Sequence, residues 1–198
     1  QVLLFDEPLS NLDAKLRRRV REDIRDLQQR LNLTVAYVTH DQQEALAVSD
    51  RIIVMSNAKI AQSGKPRELY ESPANRFVSD FIGDSNQVEG EVTGLDGEMV
   101  RVRLAGLEFH LRGRGAQTGP VKVAVRPEAI LLERDKPAHP VVPVRVSKAA
   151  YLGTHMEYTV SSPIGALFVV DRAVDRPLTV GADVWAGFAQ HGVTVVPD

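Results

Sequence analysis

The sequence predicts an α/β fold for the first part of the chain and an all-β fold for the rest. Two apolar runs, Val2–Phe5 and Val35–Val38, flank a stretch with helical periodicity, which is typical of a strand–helix–strand unit. From Gln87 onward, short apolar runs separated by turn residues replace the helical pattern. We therefore expect two domains, residues 1–86 and residues 87–198.

Composition excludes several classes of protein. The 198 residues are 43% hydrophobic and 25% charged, as in an ordinary globular protein. The formal net charge of −2 gives no electrostatic reason to expect nucleic acid or anionic membranes as partners. Cysteine is absent, which excludes disulfides and thiolate metal sites. No apolar run approaches the roughly 18 residues of a membrane span, so we expect any link to a membrane to come through a partner.

The first apolar run ends in two adjacent carboxylates, Asp6 and Glu7, followed by Pro8. A short apolar run bounded by a breaker predicts a buried strand of a parallel sheet. Ligands of α/β proteins bind at the carboxyl ends of such strands, and a cation is expected beside unpaired acids there. The alternative is a strand that merely ends in acidic residues at the surface.

The segment between the two strands predicts an amphipathic helix that crosses from one to the other. Its apolar residues recur at spacings of three and four: Leu16, Val20, Ile24, Leu27 and Leu31. Opposite charges four residues apart, as in Arg18 and Glu22, can pair along its other face. We interpret the basic cluster Arg17–Arg19 as part of this solvated face. The crossover places both strand ends at one edge of the sheet, so Glu7 and His40 should lie close together.

Three motifs carry a resemblance to a known family. The strings LLFDEPLSNLDA and YVTHDQQEAL resemble the ATP-binding subunits of ABC transporters, in the correct order and about thirty residues apart. The resemblance assigns the Walker B strand to Leu3–Glu7, the D-loop to Ser10–Asp13 and the H-loop to His40. It implies ATP and Mg²⁺ as cofactors and a P-loop ATPase fold for residues 1–86.

The resemblance also implies residue roles. Glu7 and His40 are the implied catalytic residues: Glu7 orients or deprotonates the attacking water, and His40 contacts the γ-phosphate. Asp6 is the implied magnesium ligand, through water. Asp6, Ser10, Asp13 and His40 form the implied cofactor-binding set, and the loop that holds Ser10 and Asp13 meets a second copy of the subunit.

Two motifs of a complete site are missing from the sequence. It has neither a phosphate-binding loop of the GxxxxGK(S/T) type nor an LSGGQ-like signature. The chain also opens at Gln1, almost directly in a core strand. We expect it to be the C-terminal part of a longer protein and, by itself, to bind ATP very weakly without turnover.

Several elements follow the H-loop. Asp41 is a plausible N-cap, and we assign Gln43 and Glu44 to helix initiation. A hairpin, two short helices and a hinge at Gly83–Asn86 complete the first part. The residues around this hinge resemble polyamine or ferric-iron importers more than sugar importers.

The second part predicts a small OB-like barrel or sandwich of about ten strands. These are Val88–Thr93, Met99–Leu104, Leu107–Leu111, Val121–Val125, Ala129–Leu132, Val141–Val146, Met156–Val160, Leu167–Val170, Asp183–Phe188 and Val193–Val196. The strings VAVRPEAI and YLGTHMEYTV resemble the TOBE regulatory region of maltose-type importer ATPases.

The OB-like pattern leaves an alternative class open, a stand-alone regulatory, ligand-binding or dimerisation module. Five residues could form a regulatory or dimer contact, or could serve only turn chemistry and solvation: Arg126, Glu128, Tyr151, His155 and Glu157. The histidines of this part show no metal-ligand spacing, and its aromatic residues suit a core rather than a nucleic-acid platform.

The family resemblance implies a complete importer around this chain. We expect a homodimer, a pair of transmembrane permease subunits and, indirectly, an extracytoplasmic solute-binding protein. Nucleic acid is not an expected partner. The expected location is the cytoplasmic face of the cell membrane, where the subunit would be peripheral.

Overall fold

The computed structural model describes residues 2–113 and 115–197, and the chain divides into two compact units, residues 1–72 and 73–198. The first unit is α/β and nearly all of the second is β, as the sequence predicts. The division between the units precedes a short helix. The boundary at residues 86 and 87, which concerns where an ATPase domain ends, stays a prediction.

The first unit begins with the predicted strand–helix–strand crossover. Its elements are β1 (Val2–Asp6), α1 (Ala14–Leu31) and β2 (Thr34–Val38). The two strands are parallel, with Asp6 opposite Val38 at their carboxyl ends. The residues that follow each strand therefore emerge at the same edge of the sheet.

Local interactions define both ends of α1. The carboxylate of Asp13 accepts hydrogen bonds from the backbone N–H groups of Lys15 and Leu16, each at 3.0 Å, which makes it the N-cap. Asn32 ends the helix in a left-handed conformation, with φ of 48°. On the exposed face, Arg18 and Glu22 form the predicted pair at 3.2 Å.

The remainder of the first unit is a hairpin between two helices. Its elements are α2 (Gln42–Val48), β3 (Ile52–Ser56), β4 (Lys59–Gly64) and α3 (Pro66–Glu71). Asn57 and Ala58 both have positive φ, as a tight hairpin turn between two strands requires. Asp41 is the N-cap of α2, as predicted, and accepts a hydrogen bond from the Glu44 N–H at 3.0 Å.

The expectation that β1 is buried is wrong. Val2 is 68% exposed and Leu4 is 71% exposed, and helix α1 has no buried residue. Among the described residues the parallel sheet consists of β1 and β2, and the side chains of Val2 and Leu4 are left largely uncovered. An apolar run fixes the strand, but its burial depends on what packs against it.

The second unit begins with α4 (Arg76–Phe81) and continues as ten strands. They are β5 (Asn86–Asp96), β6 (Met99–Leu104), β7 (Leu107–Arg112), β8 (Gly119–Val125), β9 (Ile130–Glu133), β10 (Val142–Tyr151), β11 (Met156–Ser162), β12 (Gly165–Asp171), β13 (Asp183–Phe188) and β14 (Val193–Val196). All ten predicted strands are present; β5, β7, β8, β10, β11 and β12 are longer than predicted, and β9 is shifted by one residue.

These strands form two five-stranded antiparallel sheets. Their strand orders are β14-β8-β5-β6-β7 and β12-β11-β10-β13-β9. Along β6, exposed and buried residues alternate, which is the mark of a sheet with one face on a core. Both sheets contribute to one hydrophobic cluster, which includes Val102, Leu104, Val160 and Val169 at 0% exposure. The predicted OB-like, all-β architecture is confirmed.

Asn86 joins the two sheets through its side chain. The amide nitrogen donates to the carbonyl oxygens of Phe168 at 2.8 Å and Val125 at 3.2 Å. The amide oxygen accepts from the Phe168 N–H at 2.7 Å. One side chain therefore satisfies backbone groups of β8 and β12, which belong to different sheets.

Arg126 is buried, which contradicts surface solvation and also leaves its side chain inaccessible for the alternative, a regulatory or dimer contact. The side chain is 2% exposed, and its Nη1 lies 2.9 Å from the Ser79 carbonyl oxygen, 2.8 Å from that of Gly83 and 3.1 Å from that of Asp84. Burial of a guanidinium is costly unless its N–H groups find acceptors, and three backbone carbonyls accept from Nη1 here. The segment predicted as a hinge is thereby held against the strands that follow it.

Candidate active site

The edge where β1 and β2 end brings Glu7 and His40 into contact. The Glu7 N–H donates to the Val38 carbonyl oxygen at 2.9 Å, which extends the strand pairing by one residue. Glu7 itself has φ of 43°, a conformation that costs free energy for a residue with a Cβ and that clusters at functional sites. Its Oε1 lies 2.9 Å from His40 Nδ1. The predicted proximity of the two residues is confirmed.

The contact changes the acid–base behaviour of His40. A hydrogen bond to the Glu7 carboxylate, and then the negative charge of that carboxylate, raise the pKa of His40 above its usual value. Both side chains remain open to solvent, at 48% exposure for Glu7 and 72% for His40. The pair is thus a carboxylate and an imidazole that hold each other at an accessible strand edge.

Asp6 ends β1 directly before this pair. Its side chain is exposed and makes no ion pair with any residue of 2–113 or 115–197. Within those ranges, no group of three or more histidine, aspartate or glutamate side chains could hold a metal ion. A free carboxylate of this kind fits a hydrated magnesium ion whose other ligands are water and phosphate.

Ser10 and Asp13 have structural partners within the loop after β1. The Ser10 hydroxyl donates to the Glu7 carbonyl oxygen at 3.0 Å, which ties this loop to the residue in the left-handed conformation. The Asp13 carboxylate caps α1, as described above. The structure thus places Ser10 next to the Glu7 backbone and Asp13 at the start of the helix.

Glu44 was predicted only as a helix-initiating residue, but in the structure it is a buried carboxylate. Glu44 is 3% exposed. Its Oε2 accepts hydrogen bonds from the Thr39 hydroxyl at 2.8 Å and from the Tyr37 hydroxyl at 3.2 Å. Burial and the charge of Glu44 raise the pKa of Tyr37, so this phenol stays protonated and donates.

Arg17 is the cation that faces this carboxylate, and its interpretation as part of a solvated helix face is wrong. Its Nε lies 3.8 Å from Glu44 Oε1, its Nη1 lies 3.4 Å from Asp41 Oδ2, and its Nη2 donates to the Leu12 carbonyl oxygen at 3.1 Å. Asp41 and Glu44 are three residues apart, which is the spacing of a helix N-cap and the residue that it contacts. This spacing is visible in the sequence and indicates the Asp41–Glu44 end of the network.

The arrangement is suited to proton transfer at the strand edge. Glu7 is a carboxylate with one oxygen engaged by an imidazole, and the preceding residue, Asp6, supplies a second exposed carboxylate. Such a set can accept a proton from water and hold a cation that binds phosphate.

The comparisons with known proteins extend over almost the whole chain. Residues 123–196 match the TOBE domain family. The chain is 53% identical, over 99% of its length, to the Fe(3+) ions import ATP-binding protein FbpC of Rhizobium etli and also to FbpC 1 of Rhizobium meliloti. It is 44% identical, over 86% of its length, to the spermidine/putrescine import ATP-binding protein PotA of Ruegeria pomeroyi.

These matches agree with the resemblance found in the sequence. The second unit contains a TOBE domain, and nearly the whole chain is similar to ATP-binding subunits of ABC importers. The chain spans 55% of each FbpC relative and 46% of the PotA relative, so it covers about half the length of the curated relatives.

A solved structure of the molybdate-binding protein ModG covers 57% of this chain and 96% of its own length, with 16% identity and a TM-score of 0.48. No helix within the described ranges is long and apolar enough to cross a membrane.

Proposed function

We propose that this chain carries the hydrolytic carboxylate of an ATP-hydrolysing importer subunit, with Glu7 and His40 as its catalytic residues. The observation that carries the proposal is the 2.9 Å contact between Glu7 Oε1 and His40 Nδ1 at the shared end of two parallel strands. The similarity to import ATP-binding proteins supports ATP as the nucleotide.

Each residue then has a defined task. Glu7 accepts a proton from the attacking water at the carboxylate oxygen that His40 leaves free. His40 orients that carboxylate and presents its other ring nitrogen to the γ-phosphate. Asp6 would hold magnesium through water, where the ion would supply positive charge against the phosphates. Ser10 and Asp13 fix the loop that would meet the second subunit.

The proposed assembly is that of an importer. Two copies of the complete subunit would close around ATP and drive two transmembrane permease subunits, to which an extracytoplasmic binding protein delivers the solute. The subunit would lie at the cytoplasmic face of the membrane. No role in this assembly requires nucleic acid.

Ferric iron is the solute we favour, ahead of polyamines. The support is the higher identity to relatives named for Fe(3+) import, 53% against 44% for the polyamine relative. The test is uptake of ferric iron and of spermidine by a strain that lacks its own transporter ATPase and expresses this chain joined to a part that supplies the phosphate-binding loop. Restoration of spermidine uptake alone would reverse the preference.

The hydrolytic proposal requires a protein with a phosphate-binding loop, which this sequence lacks. We propose joining to this chain the part of the Rhizobium etli relative that it does not span; this chimera is called the extended protein below. Its MgATP hydrolysis should fall at least about 100-fold in Glu7→Gln, the range of a general base. The matched control, Glu22→Gln, changes an exposed carboxylate of α1 and should retain full activity. Equal hydrolysis by both variants would refute the proposal.

The chain of 198 residues should bind ATP poorly by itself. The chain offers the carboxylates of Asp6 and Glu7 and the imidazole of His40. Its sequence contains no glycine-rich loop whose backbone N–H groups would surround the phosphates. Calorimetric titration with MgATP should show no binding at micromolar concentrations. Stoichiometric binding there would contradict this part of the proposal.

A further inference from the structure

Arg17 connects two loops that are far apart in the sequence. It lies in the first turn of α1 and is only 34% exposed, whereas its neighbour Arg18 is 75% exposed. Its Nη2 donates to the Leu12 carbonyl oxygen in the loop after β1. Its Nη1 reaches Asp41, in the loop after β2.

The second loop is fixed on both sides of His40. Thr39 accepts a hydrogen bond from the Asp41 N–H at 3.0 Å and donates to Glu44 at 2.8 Å. Asp41 in turn accepts from the Glu44 N–H at 3.0 Å. The residues on either side of His40 therefore belong to the same network of hydrogen bonds, and Arg17 is the cation of that network.

Charge makes Arg17 the residue on which the network depends. Glu44 is almost fully buried, and a buried carboxylate is stable only when hydrogen bonds and a counter-charge compensate its desolvation. Two hydroxyls supply the hydrogen bonds. Arg17 Nε, 3.8 Å away, supplies the counter-charge at a distance too long for a hydrogen bond. The guanidinium spreads its donors over three nitrogens, so one side chain reaches three separate groups, whereas a lysine presents a single nitrogen.

We infer that Arg17 is a positioning residue that couples the Ser10–Asp13 loop to His40. The inference rests on the proposed function, since it assigns a regulatory task within the same site. A displacement of the Ser10–Asp13 loop would move Leu12, and Arg17 would transmit that movement to Asp41 and thus to the imidazole that orients Glu7. Contact with a second subunit at this loop would in this way set the geometry of the hydrolytic pair.

The first test measures amide hydrogen exchange in the chain of 198 residues, so it does not depend on ATP hydrolysis. Arg17→Ala should accelerate exchange about 10-fold at the amides of Leu12, Asp41 and Glu44, because a lost hydrogen bond to a charged group has about that effect. The Val123 amide in the second unit serves as internal reference. Arg18→Ala is the matched control and should change none of the three.

A second variant separates positioning from folding. Arg17→Ala leaves Glu44 without its counter-charge, whereas Arg17→Ala combined with Glu44→Gln removes the buried charge as well. The double variant should recover thermal stability, but the three amides should still exchange faster than in the parent chain. Return of all three amides to parent rates would overturn the inference, because the effect would then be one of charge burial alone. The conservative Arg17→Lys should keep the stability and lose the bridge.

The final test uses the extended protein. Arg17→Ala should lower kcat about 10- to 100-fold and leave KM for ATP unchanged, as misplacement of catalytic groups predicts. One outcome is faster exchange in Arg17→Ala while the extended protein hydrolyses no ATP in any variant. That result would refute the proposed function and leave the loop connection standing. Normal hydrolysis in Arg17→Ala, in a protein that needs Glu7, would overturn the inference and leave the proposed function standing.

Discussion

His40 Nδ1 lies 2.9 Å from Glu7 Oε1, although 33 positions separate the two residues in the chain. The contact follows from topology: a parallel crossover brings the carboxyl ends of β1 and β2 to one edge. Glu7 then turns the chain in a left-handed conformation and directs its side chain to the end of the neighbouring strand. The backbone geometry and the side-chain contact thus have a common origin.

The first prediction concerns the titration of His40. Its pKa is raised in the folded chain, so the contact stabilises the fold fully below about pH 6.5, the unperturbed value, and this contribution is lost as pH rises through the raised pKa. Histidine NMR titration should show a fall in the His40 pKa in Glu7→Gln. Glu157→Gln, which changes a carboxylate beside a different histidine, should leave the His40 pKa unchanged.

The second prediction concerns Arg126. Replacement by alanine should destabilise the second unit by about 2–4 kcal/mol, because three backbone carbonyls of the 79–84 segment lose their donor. Urea unfolding followed by the fluorescence of Trp185, the only tryptophan, reports on this unit. Arg112→Ala, at an exposed position of β7, is the control. Equal unfolding midpoints for the two variants would show that the contacts of Arg126 add nothing to stability.

The third prediction concerns the polar link between the sheets. Asn86→Asp keeps the acceptor for the Phe168 N–H but removes the donor to two carbonyl oxygens, so it should cost about 1–3 kcal/mol. The same fluorescence assay measures this cost. Asp96→Asn makes the reverse change at the exposed end of β5 and should cost less than about 0.5 kcal/mol. A small effect at residue 86 would mean that apolar packing alone holds the sheets together.

The fourth prediction compares two leucines of the first unit. Leu69 is 0% exposed, and its replacement by alanine should cost about 2–5 kcal/mol. Leu4 is 71% exposed, and Leu4→Ala should change the stability of the chain by less than about 0.5 kcal/mol. Far-UV circular dichroism during thermal unfolding monitors the loss of α1. A large cost for Leu4→Ala would show that the outer face of β1 is covered in solution.

Local patterns were sufficient to predict most elements of this fold. The alternation of apolar residues and the turn residues between them located β6, β13 and β14 to the residue, because these strands have one face on a core. The apolar stripe from Leu16 to Leu31 likewise predicted α1, whereas the N-cap at Asp13 was not predicted. The parallel crossover then made the Glu7–His40 contact predictable without knowledge of the packing.

Burial of polar groups could not be predicted in the same way. Arginine is a residue type that usually lies at the surface. Only the three-dimensional fold shows which carbonyls and carboxylates surround Arg17 and Arg126. The exposure of β1 was also not predicted, although here the side chains are apolar and were expected to be buried. An apolar strand sequence contains no information about which element covers it.

The central claim is that Glu7 and His40 act as one catalytic unit, and a double-mutant cycle on kcat of the extended protein tests it most directly. The variants are Glu7→Gln, His40→Ala and their combination. When two residues act as a unit, replacement of either one already removes the contribution of both to kcat. We therefore predict that the double variant is no slower than the slower single variant, within about 3-fold. A double variant whose loss equals the product of the two single losses would show that the residues act independently and would contradict the account.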